Sequence, residues 1–371
     1  MAQTYVPPNS ASPTLTRRVH SARLFTKSLG DAYFISKFAG KGFLRYGDGS
    51  MVGTDTSMPV QIIRDLERTD GDTIQYDLVT EIRGDAVYDD DQLKGKEKAL
   101  TFGMDQIRLT QVRQAVSLGG RMSRKRSPHD LRAVGEERLR RYYSRLFDEY
   151  IVCYGAGTRG EGTSQWVLPT TWNGFGGNSL QTPDEDHRIT IDSSGDISHT
   201  KTDATAFTLS WFDKLERYIV TMDTPPNPIM IGGEPKYILV LSPWAVEQMK
   251  SDTTDKSWLK LNLGAGVRGE NNPLFTGSLG TYGMFIIHQF SKIPITTSGS
   301  DTYSHNLLFG AQGVTVAFGD AGGKFSFSWG EEVDDYGNII GIAGTTILGV
   351  KKNRFNDTDT DFGVMTVYSK H

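Results

Sequence analysis

One stretch, Gly119 to Gly157, constrains what this chain can fold into: GGRMSRKRSPHDLRAVGEERLRRYYSRLFDEYIVCYGAG. Leu131, Val134, Leu139, Tyr142, Tyr143, Leu146, Phe147, Tyr150 and Ile151 recur at helical spacing. Arg132, Glu136, Glu137, Arg138, Arg140, Arg141 and Arg145 fill the other side. A helix of this length needs layers packed along it, because helical stability comes mostly from burying the apolar face. Ser127 reads as its N-cap and Pro128 as its first helical residue. Asp130 then takes the place of a short-armed capping box. Gly155 and Gly157 read as the end. Gly135, inside, costs about 1 kcal/mol relative to Ala, a cost that close packing would explain.

The remaining composition bounds the class. The chain has 371 residues, 23% charged and 37% hydrophobic, which suits a soluble globular protein of two compact units or one with large insertions. Forty-one glycines point to many turns and a β-rich remainder. A net charge of −4 excludes a uniformly basic nucleic-acid binder but leaves room for local patches. The start, MAQTYVPPNS, is not a secretory signal, and no apolar run reaches membrane-spanning length. The single cysteine, Cys153, is expected to be a buried small residue of the long helix.

Residues 1–60 read as an extended N-terminal arm, with Arg17, Arg18, Arg23 and Lys27 making it positive. It is either a solvated tail or an arm that meets a neighbour or nucleic acid. Thr73 to Ile82 alternates with period two, as does Leu100 to Val112, where a parity shift suggests a bulge near Asp105. Together they read as a long hairpin. Its charged tip carries Asp89, Asp90, Asp91, Lys94, Lys96 and Lys98. An isolated hairpin is marginal in water, so it must lie on its own body or a neighbour. Residues 155–205 read as a loop-rich insertion with a strand at Arg188 to Ile191. Helices follow from Phe207 and from Ser242-Pro243. Strands are expected at Tyr237 to Leu241, Met284 to Phe290, Lys324 to Val333, Ile339 to Val350 and Phe362 to Tyr368. The order argues α+β.

No catalytic, metal or cofactor constellation emerges. Gly155-Ala156-Gly157-Thr158-Arg159-Gly160 is formally GxGxxG, but a dinucleotide loop needs a strand before it and a helix after it. Here a helix precedes it, and Pro169 lies in a non-helical stretch beyond. The seven histidines show no paired metal-ligand spacing. Asp89 to Asp91 fit a solvated tip better than a hard-cation site. One electrostatic signal remains: nine Lys or Arg against three Asp or Glu between Arg121 and Leu146, densest at Arg121, Arg124, Lys125 and Arg126. It suits phosphate contacts without sequence preference, or acidic segments of neighbouring copies.

Four stretches resemble one family, the N4-type major capsid proteins of tailed bacteriophages, which have the HK97-type capsid fold. They are Arg113-Gln114-Ala115-Val116 with Gly120-Arg121-Met122-Ser123 and Asp130-Leu131-Arg132; Asn272-Pro273-Leu274-Phe275-Thr276-Gly277 with Leu279-Gly280; Leu307-Leu308-Phe309-Gly310-Ala311-Gln312; and Gly349-Val350-Lys351-Lys352 with Arg354-Phe355 and Asp361-Phe362-Gly363. They stand in family order from about Thr73 onward. The resemblance implies a subunit that is not an enzyme and needs no cofactor. It implies an N-terminal arm (1–60), an extended hairpin loop and its base (61–118), a spine helix and peripheral domain with an insertion (119–206), an axial domain (207–318) and return strands of the peripheral domain (319–371). It also implies self-assembly as pentamers and hexamers into an icosahedral shell around double-stranded DNA, put together in the bacterial host cytoplasm. Partners would be a portal, a separate scaffold and decoration proteins, with no membrane. The hairpin tip would dock on a neighbour, and Arg121, Arg124, Lys125 and Arg126 would face DNA. The alternative is a cellular encapsulin-like nanocompartment shell enclosing a protein cargo.

Overall fold

The structure is a computed structural model. It describes residues 24–25, 27–39, 57–63, 71–79, 94, 102–162, 165–251, 280–319, 327–355 and 359–371. The long helix runs from Leu131 to Ala156. Its cap is Asp130 rather than Ser127: Asp130 Oδ1 accepts from the backbone N–H of Arg132 at 3.0 Å and Ala133 at 3.3 Å. Ser127 instead closes a separate helix, Arg121–Arg126, with extended backbone at φ −82 and ψ 130. Pro128 accounts for that, since a residue before proline avoids the α region. Asp130 then adds its charge to the positive helix end. Asp130→Ala is expected to cost about 1 kcal/mol and Ser127→Ala no more than about half of that; urea midpoints of the two variants check the order. The same Ser-Pro pattern does cap the helix Pro243–Ser251, where Ser242 Oγ accepts from Ala245 N at 3.2 Å. No Asp follows Pro243 to compete.

Gly157 ends the long helix in the left-handed conformation at φ 68, as expected, while Gly155 lies within its last turn. Gly135 has its packing reason. A Cβ there would stand 2.7 Å from Ile342 Cδ1 and 3.1 Å from Leu118 Cδ2, so the helix rides close over the strand Ile339–Lys352.

Two sheets pack on this helix. The first orders Val60–Ile63, Val314–Phe318, Ile339–Lys352 and Phe327–Asp334, with Thr110–Ser117 also paired to Ile339–Lys352. Among the described residues the second has nine strands. At its centre Glu234–Leu241 pairs with Phe285–Gln289 and Asp301–Phe309, and Val364–Lys370 joins Asp301–Phe309 to Arg188–Ile191. Along Glu234–Leu241, Ile238 and Val240 belong to the core under the long helix. Tyr237, Leu239 and Leu241 belong to a second core under the helices Ser210–Thr221 and Pro243–Ser251. Cover on both faces is why this strand reads as a continuous apolar run rather than an alternation.

The N-terminal region is not wholly an extended arm. Residues 27–31 and Tyr33–Phe38 are helical, and Leu24, Phe25, Leu29, Phe34, Ile35 and Phe38 are buried in the main core. Each such side chain contributes about 1.5–3 kcal/mol. The expected bulge is also absent. Thr73–Val79 and Phe102–Arg108 pair in one unbroken register, Thr73 with Arg108 through Val79 with Phe102. The inward position is taken by Asp105, which is buried, while Met104 is exposed. Counting only apolar residues as inward produced the false parity shift. Past Leu109 the chain leaves the hairpin, and Thr110–Ser117 joins the first sheet.

Candidate assembly and nucleic-acid surfaces

The six residues Arg121–Arg126 form a short helix that carries all four cations. Arg121, Lys125 and Arg126 are exposed, and Arg124 is half-buried, its Nη1 donating to Gly119 O at 3.1 Å. Among the described residues none of the four has a carboxylate within ion-pair range. The helix is pinned to the first sheet by Arg121 N donating to Asn338 Oδ1 at 3.0 Å. Further along, the positive charge is neutralised. Arg132 pairs with Glu331, Arg140 with Asp31 at 3.0 Å and Glu137 at 2.8 Å, and Arg141 with Glu137 at 2.9 Å. The hydrogen bond from Arg141, with its neighbour Arg140, holds the half-buried Glu137 carboxyl below its usual range. The free positive charge is therefore concentrated at the start of the stretch, with Arg138 and Arg145 exposed beyond it.

Of the hairpin-tip residues, Lys94 is exposed; Asp89, Asp90, Asp91, Lys96 and Lys98 lie outside the described residues, as does Asn272 to Gly277. The hairpin base is firmly held. Ile74, Ile107, Leu109 and Ala317 form a small apolar cluster. Asp105 beside it accepts from Lys351 Nζ and from Arg354 N at 3.3 Å, and lies 2.9 Å from the Tyr76 hydroxyl. Asn178 bonds both backbone groups of Arg108, at 3.0 and 2.7 Å, and its own carbonyl accepts from Tyr154 of the long helix at 2.7 Å. Helix end and hairpin base therefore share one frame.

Sequence reasoning missed these internal charges. Lys352 Nζ meets Asp361 Oδ2 at 2.6 Å, and Arg354 Nε lies 2.8 Å from Asp361 Oδ1, all three buried. Burial pushes Asp361 above the usual carboxylate range, against the pull of Lys352, and holds Lys352 below the usual ammonium range. The basic run Lys351-Lys352-Arg354 therefore serves the fold and not a nucleic acid. Glu149, fully buried, accepts from Val167 N and Leu168 N at 2.8 Å and pairs with Lys292. Cys153 is buried as expected, and burial raises its thiol pKa, so it is not a poised nucleophile. The GxGxxG stretch is packed, not open. A Cβ on Gly157 would meet Gln181 O at 2.1 Å, and one on Gly160 would meet Ile295 O at 2.6 Å.

Asp148 joins the N-terminal helix to the long one. Tyr33–Phe38 has no cap of its own, and Asp148 accepts from Tyr33 N and Phe34 N, both at 3.0 Å. Burial raises its pKa to about 7, against those two N–H bonds and Lys292. A carboxyl raised in the folded state binds its proton more tightly there than when unfolded. Stability is thus greatest below about pH 4 for this group and falls as pH climbs to about 7, by up to roughly 4 kcal/mol. Asp148→Asn is expected to remove this slope in denaturation curves taken between those limits.

Comparisons with known proteins agree with this architecture. Residues 16–371 match the profile of the family described as phage capsid protein. The chain is 28% identical over 358 residues to the major capsid protein of Pseudomonas phage KPP25, covering 85% of this chain and 89% of that protein. The capsid of Ralstonia phage GP4 is similar at 32% identity and TM-score 0.74, over 91% of this chain and 90% of that one. The cyanophage Pam1 capsid shares the fold at 19% identity and TM-score 0.63, over 84% and 88% of the two chains.

Proposed function

We propose, from the premise that this chain belongs to the phage capsid protein family, that it assembles as pentamers and hexamers into an icosahedral shell around double-stranded DNA. Membership makes it a major capsid protein of a tailed phage with the HK97-type fold, a component of the virion capsid. The observation that carries the reading is the match over residues 16–371, which takes in both sheets and the long helix together. In this reading the long helix and first sheet form the peripheral domain, and residues 207–318 give most of the axial domain. The hairpin lies across a neighbouring copy. Its tip charges at 89–91, 94, 96 and 98 steer docking and affect rate more than final strength. Each contact is modest, and closure of the shell adds them through high effective concentration. Assembly takes place in the host cytoplasm with a separate scaffold, a portal and decoration proteins as partners.

The basic helix faces the packaged DNA. Its support is the concentration of unpaired cations at Arg121, Lys125 and Arg126, which suits phosphate contact without sequence preference. The test is electron microscopy and sedimentation of particles from cells expressing the chain with its neighbouring genes, with nucleic acid assayed in the particles. Replacing Arg121, Lys125 and Arg126 by Gln is expected to reduce DNA retention while empty shells stay intact. Collapse of the shells would assign the three to contacts between copies.

A further inference from the structure

The charges of the long helix are not placed for its own benefit. An α-helix gains from acids in its first turn and bases in its last. Apart from the Asp130 cap, this one has neither. Its cations are all arginines, at 132, 138, 140, 141 and 145, with no lysine among them. Arg138, Arg141 and Arg145 follow spacings of three and four, so they share one face. Like charges at those spacings weaken a helix. Three of the five arginines have acids to offset this: Arg132 pairs with Glu331, Arg140 with Asp31 and Glu137, and Arg141 with Glu137. Arg138 and Arg145 have none. Among the described residues no carboxylate lies within ion-pair range of either, and both are exposed.

The stripe these arginines form is open along its length. On one flank of the helix the N-terminal segment closes in, where Leu24 and Lys27 share a cleft with Ala133 and Arg140. On the other flank Gly135 rides against Ile342. Between the flanks Val134, Arg138, Arg141 and Arg145 are exposed. Beyond Arg145 every residue from Leu146 to Ala156 is buried. The stripe therefore ends where the helix enters the core.

The spacing fits a regular polyanion. Arg138 and Arg145 stand about 10.5 Å apart along the helix axis. One strand of a DNA duplex presents a phosphate about every 3.4 Å of its axis, so about three pass over that length. Long side chains can then reach a phosphate in any register, without sequence preference. A compact acidic segment would have to match this separation in one register only. The planar guanidinium also pairs with phosphate through two parallel hydrogen bonds, which the ammonium of lysine does not do.

We propose that Arg138 and Arg145 form a second phosphate-contacting surface, on which duplex DNA lies along the long helix. The proposal rests on the shell reading above and extends its DNA-facing surface beyond the short helix. Arg141 remains engaged by Glu137 and contributes less.

The test is the salt dependence of binding between the unassembled full chain and a short mixed-sequence DNA duplex. Replacing Arg138 and Arg145 together by Gln is expected to lower the slope of log affinity against log salt by about 1.8, or about 0.9 for each lost phosphate contact. Replacing both by Lys keeps the charge and is expected to keep the slope. Both double variants should unfold at the wild-type urea midpoint or above it, because neither side chain has a partner in its own chain. In DNA-filled particles, Arg145→Cys carrying a photo-crosslinker is expected to give a protein–DNA adduct, and Cys153, being buried, gives no background. A wild-type slope in the Gln variant, or particles of that variant that fail to close, would overturn the proposal; the second result would assign the stripe to an acidic segment of another copy. In either case binding that still depends on Arg121, Lys125 and Arg126 leaves the shell reading standing. Wild-type particles that hold no nucleic acid would overturn the DNA-filled shell, and this surface with it.

Discussion

Asp361→Ala is expected to destabilise the unassembled subunit by about 3–5 kcal/mol, measured by urea unfolding. Asp361 is buried with Lys352 at 2.6 Å and Arg354 at 2.8 Å, so its removal leaves two cations in a dry site. The size of the effect comes from those orphaned charges, not from any large intrinsic worth of the pair. Lys352→Met supplies the contrast. It keeps the Asp361–Arg354 pair and replaces a buried ammonium by an apolar chain of similar length, so it should cost clearly less than Asp361→Ala. Equal losses in the two variants would show that the cluster acts through packing alone. The strand pair Arg354–Phe355 with Thr360–Asp361 brings Asp361 back beside Arg354, so the test also probes that local register.

Gly157→Ala is expected to cost about 3 kcal/mol or more in the same measurement. Two independent penalties meet there. The backbone is left-handed at φ 68, and the added Cβ would fall 2.1 Å from Gln181 O, 2.8 Å from Gln181 C and 2.9 Å from Thr182 Cα. All three are backbone atoms, which cannot turn aside as a side chain can. Gly176→Ala is the control. Nothing lies within 4 Å of its Cβ position and its φ is ordinary, so a change within about 0.5 kcal/mol is expected. A neutral Gly157→Ala would reopen the question of a ligand loop at this turn.

Much of the architecture was legible because it depends on local periodicity. The long helix, the helix from Ser210 to Thr221 and the strands Arg188–Ile191 and Glu234–Leu241 bury most of the side chains their spacing predicts, although Val134 of the long helix is exposed. The cap of the long helix was misplaced because Ser127 and Asp130 are both good caps. The choice between them turned on the extended backbone that Pro128 imposes. The N-terminal helix was missed although Leu24, Phe25, Leu29, Ile35 and Phe38 carry a helical spacing. Their flanks of Gly, Ser and Thr read as an arm, and the cap for Tyr33–Phe38 comes from Asp148, far away in sequence. The hairpin bulge was inferred wrongly because a buried carboxylate cannot be recognised without the lysine that pairs with it.

The sites divide in the same way. The basic helix was visible as a run of four cations, but its freedom from carboxylates is a matter of which acids lie near. The cations of Lys351-Lys352-Arg354 read the same in one dimension and prove to be internal. Tyr336 was only part of a turn, and its complete exposure belongs to three dimensions alone. By itself the sequence determined most of the elements, their order and the family, because helix and strand periods and short motifs are properties of neighbouring residues. The tertiary structure alone decided which charges are cancelled, which glycines are filled against and which aromatic stands in solvent. Those outcomes depend on distances between residues as far apart as Asp105 and Lys351, or Asp148 and Tyr33, and no local pattern encodes them.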